Sequence, residues 1–197
     1  VEALGFQLRA EATLETLTEE VIKSSEIEGE VLDKDQVRSS IARRMGLDVG
    51  ALTPAERNVE GVVEMMMDAT QNFAKAITSD RLFGWHAALF PTGRSGMHKI
   101  AGGNWRDGKN GPMQVVSGPI GKERVHYEAP PAEIVPSEMD QFLHWFNTND
   151  TLDLVLKAGV AHFWFVPIHP FEDGNGRIAR AIADLTLARS EKSPQRF

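Results

Sequence analysis

The feature that most constrains this chain is a polar stretch of twelve residues that follows a long apolar segment. Residues 169–180 read His-Pro-Phe-Glu-Asp-Gly-Asn-Gly-Arg-Ile-Ala-Arg. Residues 152–168 before them are mostly apolar, and Ile178, Ile182 and Leu185 recur at helical spacing after them. The pattern predicts a polar loop between two helices, at the N-terminus of the second helix.

The backbone and the cations of this stretch suit a polyphosphate. Gly174 and Gly176 carry no Cβ, so the chain can turn sharply and approach a ligand closely. A helix N-terminus presents about four unsatisfied N–H groups and a partial positive charge, which together attract phosphate. Arg177 and Arg180 are three residues apart, so on a helix they share a face and can contact the same phosphate chain.

Two more side chains supply a metal ligand and a base. Asp173 offers the kind of oxygen that Mg²⁺ accepts beside phosphate oxygens. His169 titrates near neutrality, as a general base for a hydroxyl nucleophile should. Each of these residues alone is also explained by a capped helix start with a structural histidine and surface arginines. All of them in this order indicate a site that transfers part of a nucleoside triphosphate.

The stretch resembles the signature loop of the Fic family, H-P-F-x-D-G-N-G-R-x-x-R, and departs from it at no position. The resemblance implies an all-α fold, a Fic-type helical bundle with a small β-hairpin flap beside the active-site loop. It also implies a nucleotidyltransferase, a protein adenylyltransferase that moves AMP from ATP to a Ser, Thr or Tyr hydroxyl with Mg²⁺. By the resemblance, His169 removes the hydroxyl proton, Asp173 holds the metal and Arg180 takes the γ-phosphate. The nucleotide-binding residues that it implies are Gly174, Asn175, Gly176, Arg177 and Arg180.

A second resemblance lies at the end of a helix predicted over residues 10–28. The sequence Ser24-Ser25-Glu26-Ile27-Glu28-Gly29 is similar to the Fic inhibitory pattern, in which Ser24, Glu28 and Gly29 occupy the defined positions. Alone, this short pattern also fits an ordinary helix end with a solvated glutamate. Beside the full loop it predicts intramolecular inhibition, because a carboxylate paired with Arg180 occupies the guanidinium that a γ-phosphate needs. ATP would then bind with its phosphates misplaced for attack.

Residues 91–136 are dense in glycine and proline and lose helical periodicity. Two β-prone runs at 113–116 and 124–127 predict a β-hairpin with a long loop, and an irregular connection is the alternative. In Fic proteins this region is the flap, which pairs with a target segment as an added strand. Residues 103–106 resemble the sequence that leads into the flap in that family. The resemblance assigns target docking to Met113, Gln114, Val115, Val116, Arg124, Val125, His126 and Tyr127.

Capping residues and apolar spacing predict the other helices. The starts that they predict are at Asp33, a capping box at residues 53–56, Ser79 and Ser137. The helix that opens at residues 53–56 is expected to run to about residue 78. Residues 152–166 are apolar nearly all round, which predicts a helix central to the fold. His86 and His162 are interpreted as core histidines.

Composition limits the partners and the compartment. The 197 residues carry a net charge of −7 and no cysteine, which argues against a general nucleic-acid surface and excludes thiolate metal sites. No run reaches the roughly 18 apolar residues of a membrane span, and there is no signal peptide, so we expect a cytoplasmic protein. We expect residues 1–50 to form an N-terminal helical segment with the inhibitory motif, and residues 51–197 to form a Fic core with a truncated C-terminus. The expected partners are ATP and a target protein, and a homodimer is left open.

Two alternatives to AMP transfer stay open. The loop supports other phosphate-containing transfers in Fic proteins when the nucleotide is held differently, and Glu28 could assist removal of AMP by orienting a water. A non-catalytic nucleotide-sensing module is the second alternative, although the intact His169 and Asp173 argue against it. The sequence does not identify the target, the modified residue or the adenine contacts.

Overall fold

In a computed structural model, the structure describes residues 2–48, 50, 53–109, 111–119, 121–148 and 151–193, with side chains from residue 8 onward. Helices dominate this part of the chain, which confirms the expected all-α class. The elements in chain order are α1 (Glu2–Ile27), α2 (Lys34–Met45), α3 (Arg57–Gln71), α4 (Ser79–Leu89), β1 (Arg94–Ser95), β2 (His98–Lys99), β3 (Gln114–Ser117), β4 (Arg124–Glu128), a 3₁₀ turn (Ala132–Ile134), α5 (Val135–Thr148), α6 (Leu154–Ile168) and α7 (Asn175–Glu191).

The centre of the fold is the antiparallel pair α6 and α7, which packs against α3 and α5. The apolar positions Ile178, Ile182 and Leu185 of α7 are fully buried, as their spacing predicts. α3 in turn packs on α4, where a Cβ at Gly61 would lie 1.8 Å from the carbonyl oxygen of Ala88. Only glycine permits this close crossing of α3 and α4.

α1 lies across α2, α3 and α7 and buries Leu14, Leu17 and Val21. It ends at Ile27, and Gly29 follows with a positive φ of 77°. Glycine adopts this left-handed backbone at little cost, so the chain can reverse here. The contact between α1 and α7 brings this reversal to the start of α7.

The predicted capping box at residues 53–56 is wrong. The backbone N–H of Thr53 donates to Ser39 Oγ at 3.0 Å, and that of Glu56 donates to Gln36 Oε1 at 2.8 Å. These tertiary hydrogen bonds replace the reciprocal bonds of a capping box, and α3 begins only at Arg57.

Three other predicted helix boundaries also differ from the structure. α3 ends at Gln71 rather than near residue 78, because the chain turns after Asn72. Thr78 rather than Ser79 caps α4, and its side chain accepts from the N–H of Arg81. α5 continues directly from the 3₁₀ turn, so Ser137 lies inside the first turn of the helix.

α6 is central to the fold, as predicted, but its apolar surface is buried on one side only. Phe165 and Ile168 are buried, but Phe163 is 78% exposed and Leu156 is 62% exposed. α6 packs on α5 and α7 from one side, and no described element covers the opposite side. Among the described helices, none is long and apolar enough to cross a membrane.

The predicted β-hairpin is confirmed. β3 and β4 pair antiparallel from Gln114 opposite Glu128 to Ser117 opposite Arg124, with an irregularity after Val115. Every residue of both strands is exposed. The flap, residues 113–127, is therefore an open two-stranded ribbon. The smaller hairpin of β1 and β2 was not predicted from the sequence.

Candidate active site

The polar stretch forms the connection from α6 to α7, as predicted. α6 ends at Ile168, and His169 caps it with a left-handed backbone (φ 50°, ψ 57°). Gly174 is also left-handed (φ 79°) and caps the start of α7. Because a left-handed backbone is costly for a residue with a Cβ, the surroundings of His169 must stabilise it. One such contact is a 2.7 Å hydrogen bond from Arg106 Nε to the carbonyl of His169.

Asn175 closes the loop on itself. Its side-chain oxygen accepts from the N–H of Phe171 at 3.0 Å, and its amide nitrogen donates to the carbonyl of Phe171 at 2.8 Å. Asn175 is buried, and both of its side-chain polar atoms take part in these bonds. Asn175 can therefore contribute its backbone N–H to a nucleotide at the N-terminus of α7, whereas its side chain shapes the loop.

The underside of the loop is anchored by aromatic packing. Phe171 is fully buried, stacks on His86 at 4.3 Å between ring centroids and contacts Trp105 at 5.0 Å. His86 Nδ1 accepts from the N–H of Gly103 at 3.1 Å. Burial lowers the pKa of His86 to about 4, against the effect of nearby Asp173. His86 is the buried histidine that the sequence predicts, but it lies directly beneath the loop.

His169 is half-buried at the edge of the loop. Burial lowers the pKa of His169 below its ordinary value, a hydrogen bond with the carbonyl of Val166 opposes this, and the charge of Arg106 reinforces it. A lowered pKa keeps the imidazole neutral at pH 7, which is the form that can accept a proton. His162, the other predicted core histidine, is half-buried on α6, and burial lowers its pKa as well.

Asp173 points into the space beside the loop. One oxygen accepts from the N–H of Gly174 at 2.5 Å, and Ser95 Oγ donates to the other. The carboxylate also lines a cavity of about 490 Å³ in front of α7. Across the described residues, no group of three or more acidic, histidine or cysteine side chains could hold a metal. A single carboxylate still fits Mg²⁺ if phosphate and water oxygens complete its shell.

Both arginines of the stretch are paired with the end of α1. Arg180 Nη2 contacts Glu28 Oε1 at 2.7 Å, and the same guanidinium donates to Ser24 Oγ at 2.9 Å and to the Ser24 carbonyl at 2.8 Å. Arg177 Nη1 contacts Glu30 Oε2 at 2.5 Å. The pairing of Glu28 with Arg180 is the contact expected from the sequence, whereas the two hydrogen bonds from Arg180 to Ser24 were not predicted. Glu30 was not predicted, and its only signal is its position two residues after Glu28.

The carboxylate of Glu28 also lies against the N-terminus of α7. A Cβ built on Gly176 would be 2.2 Å from Glu28 Oε1. The left-handed Gly29 turns the chain at this point, and the N–H of Glu30 bonds back to the Ser25 carbonyl at 3.0 Å. The turn therefore places two carboxylates where a helix N-terminus and two guanidinium groups favour negative charge.

Part of the flap reaches His169. Four of its residues, Met113, Gln114, Val115 and Tyr127, line a mostly apolar cavity of about 330 Å³ that His169 also lines. Tyr127 Oη donates to the carbonyl of Pro167 at 2.9 Å, which fastens the ribbon to the end of α6. The other predicted docking residues, Val116, Arg124, Val125 and His126, do not line this cavity. His126 Nε2 instead lies 2.6 Å from Ser117 Oγ.

The family model described as Fic/DOC matches residues 76–187, more than half of the chain. The chain belongs to the Fic/DOC family. This confirms the family that residues 169–180 predict. Residues 1–47 of this Fic/DOC chain match a second model, described as a domain of unknown function (DUF4172).

Relatives of this Fic/DOC chain include two proteins named for adenylyl transfer. Protein adenylyltransferase fic-1 of Caenorhabditis briggsae is 28% identical over 170 residues, which is 85% of the chain and 31% of the relative. A "Probable protein adenylyltransferase" of Aquifex aeolicus is 34% identical over 64 residues, which is 32% of the chain and 20% of the relative. The chain thus matches only a fifth to a third of the length of these relatives.

Solved structures share the fold. A Fic domain-containing signaling protein from Bacteroides thetaiotaomicron has a TM-score of 0.62 at 23% identity, covering 84% of this chain and 60% of the other. A Fic family protein from Desulfovibrio desulfuricans has a TM-score of 0.61 at 26% identity, covering 91% of this chain and 50% of the other. The helical bundle described above is therefore that of Fic proteins.

Proposed function

We propose that the protein transfers AMP from ATP to a Ser, Thr or Tyr hydroxyl of a target protein, and that Glu28 inhibits its resting form. One observation carries the proposal: an imidazole whose pKa is lowered by burial, a carboxylate, a helix N-terminus and two guanidinium groups surround one loop of a Fic/DOC fold. The names of the adenylyltransferase relatives support the reaction class.

In the proposed reaction, His169 takes the proton from the target hydroxyl as its oxygen attacks the α-phosphorus. The bond to the bridging oxygen breaks, and pyrophosphate leaves. Arg177, Arg180 and the N-terminal amides of α7 offset the charge that grows on the leaving group. Mg²⁺, when bound at Asp173, would neutralise further phosphate charge.

In the proposed inhibition, Glu28 holds the place of a phosphate. Its carboxylate pairs with Arg180 and touches Gly176, so a γ-phosphate meets both an occupied guanidinium and a like charge. The triphosphate would bind in another arrangement, with its α-phosphorus away from the attacking oxygen. Movement of the turn at Gly29 would free the site.

ATP radiolabelled at the α-phosphate tests both parts. We expect Glu28→Gly to raise auto-labelling over the natural protein, and His169→Ala in that background to abolish it. Equal labelling of the two variants would remove His169 from the base role. A folded Glu28→Gly protein that binds ATP without any rise in labelling would contradict inhibition by Glu28.

The position of Glu28 favours one further candidate, removal of AMP from a modified protein. A carboxylate beside the N-terminus of α7 is placed to orient a water toward a phosphorus held there. Incubation of the natural protein and of Glu28→Gly with AMP-modified protein separates the two activities, since removal should need Glu28. ATP binding without transfer or removal in either protein would instead favour a nucleotide-sensing module.

A further inference from the structure

Arg106 lies outside the polar stretch but joins its first residues to the end of the flap. We propose that Arg106 is a positioning residue, which fixes the flap relative to His169 so that a target strand on the flap presents its hydroxyl to the imidazole. The inference rests on the proposed AMP transfer and adds a residue that aligns the two substrates.

The side chain of Arg106 is 4% exposed and bonds mainly to backbone carbonyls. Nε donates to the backbone carbonyl of His169 at 2.7 Å, and Nη2 donates to the carbonyl of Pro130, just after the flap. Nη2 also lies 3.5 Å from the carbonyl of Ile168, and the backbone N–H of Arg106 donates to that of Pro170 at 2.9 Å. One residue thus touches the end of α6, the start of the loop and the exit of the flap.

An arginine suits this position for physical reasons. The last carbonyls of a helix have no partner within the helix and carry partial negative charge. A guanidinium presents five N–H donors in a fixed planar fork, so it can serve several carbonyls in defined directions. A lysine keeps the charge but offers no such fork. Burial of a charge is costly, and the carbonyls of His169 and Pro130 offset that cost in the folded chain.

The flap depends on few contacts for its position. An isolated two-stranded ribbon is only marginally stable, and every residue of β3 and β4 is exposed. The ribbon closes with a 2.8 Å bond from the N–H of Ala129 to the Met113 carbonyl, directly before Pro130. The hydrogen bond from Tyr127 Oη to the carbonyl of Pro167 also holds the ribbon at the end of α6. Without Arg106, the Tyr127 bond is the remaining hydrogen bond between the ribbon and the end of α6 among the described residues. The flap can then shift, and a misplacement of about 1 Å can lower a transfer rate about 100-fold.

The absence of cysteine from the chain permits a direct test. Spin labels are attached at Lys122→Cys, in the flap loop, and at Phe163→Cys, on the exposed side of α6. Electron paramagnetic resonance then measures the distribution of distances between the two labels. We expect a narrow distribution in the parent and a broader or shifted one in Arg106→Lys and Arg106→Ala. Arg9→Lys, a change at an exposed arginine of α1, is the matched control and should leave the distribution narrow.

Kinetics in the Glu28→Gly background give the second readout. We expect Arg106→Lys to lower kcat for auto-labelling at least tenfold while ATP affinity stays within about twofold and the Tm confirms a folded protein. Added guanidinium ion should partly restore kcat in Arg106→Ala.

A narrow, unshifted distance in both Arg106 variants would overturn the proposal, as would equal losses of ATP affinity and kcat. If the Glu28→Gly parent shows no labelling at all, AMP transfer fails, and the distance measurement still decides the role of Arg106.

Discussion

Removal of Glu28 alone is expected to release only part of the block on the nucleotide site, because Glu30 still holds Arg177. The two contacts are separate: Arg180 to Glu28 at 2.7 Å and Arg177 to Glu30 at 2.5 Å. They originate from the same turn after α1. The perturbation is therefore a pair of substitutions, Glu28→Ala and Glu30→Ala, made singly and together.

The charge around the cavity in front of α7 gives the direction of the effect. Its lining includes four carboxylates, Glu28, Glu30, Glu56 and Asp173, and three guanidinium groups, Arg57, Arg94 and Arg177. Without Glu28 and Glu30, two carboxylates face the same three cations. The formal charge of the lining then changes from negative to positive, which favours a triphosphate.

The size of the effect follows from burial. The side chains of Arg180 and Glu28 are 21% and 39% exposed, so solvent screening limits this pair to about 1 kcal/mol. Arg177 is only 8% exposed beside Glu30, and we assign that pair about 1–2 kcal/mol. Since about 1.4 kcal/mol is a factor of ten, Glu28→Ala should tighten ATP binding about fivefold and Glu30→Ala about 5- to 30-fold, and the double variant should bind ATP more tightly than either single one.

Isothermal titration calorimetry measures the ATP affinity of the natural protein, the two single variants and the double variant. Initial rates of auto-labelling of the same four proteins provide the functional counterpart. Glu26→Ala is the matched control, because Glu26 lies on the last turn of α1 but pairs with the exposed Lys23. It should leave both quantities unchanged. A double variant that binds ATP no better than Glu28→Ala would refute a second block at Glu30.

Three further predictions follow from single residues. His86 binds a proton below about pH 6.5 in the unfolded chain but only below about pH 4 in the folded chain. The folded state is therefore less stable at pH 5 than at pH 7. Between these two pH values, urea unfolding should show a loss of unfolding free energy that is about 2 kcal/mol larger in the natural protein than in His86→Gln. Gly176→Ala, in the Glu28→Ala background, should weaken ATP binding at least tenfold by calorimetry, because its methyl group fills the anion site at the start of α7. The unfolding free energy should change by less than about 1 kcal/mol, because a helix accepts alanine. Gly61→Ala should cost about 3 kcal/mol in urea unfolding, since its Cβ meets the backbone of Ala88.

The sequence predicted the loop because its information is local. Residues 169–180 carry the turn glycines, the helix start and the charged groups within twelve positions, and the structure brings them together as expected. The flap hairpin was predictable for the same reason, from two β-prone runs close in sequence.

Residues whose roles arise from long-range contacts escaped prediction. Glu30 contacts Arg177 from 147 positions away, Ser95 contacts Asp173 from 78 positions away, and Arg106 contacts His169 from 63 positions away. Residues 103–106 resemble the entry to the flap, and Glu30 lies two residues after Glu28, but neither signal indicates which residue Arg106 or Glu30 contacts. The capping box at residues 53–56 failed for a related reason, because tertiary acceptors on α2 took the N–H groups that a local pattern assigned to the helix.

Under the proposed function, inhibition and nucleotide binding depend on the same charges. The N-terminus of α7 and the guanidinium groups of Arg177 and Arg180 form a cationic site that is costly to leave unpaired where it is buried. The turn after α1 meets this need with Glu28 and Glu30 in the resting form. A ligand that displaces the turn must therefore bring at least comparable negative charge to the same place. A polyphosphate does so, whereas a neutral nucleoside does not, so the proposed inhibition predicts that only the charged end of a nucleotide displaces the turn.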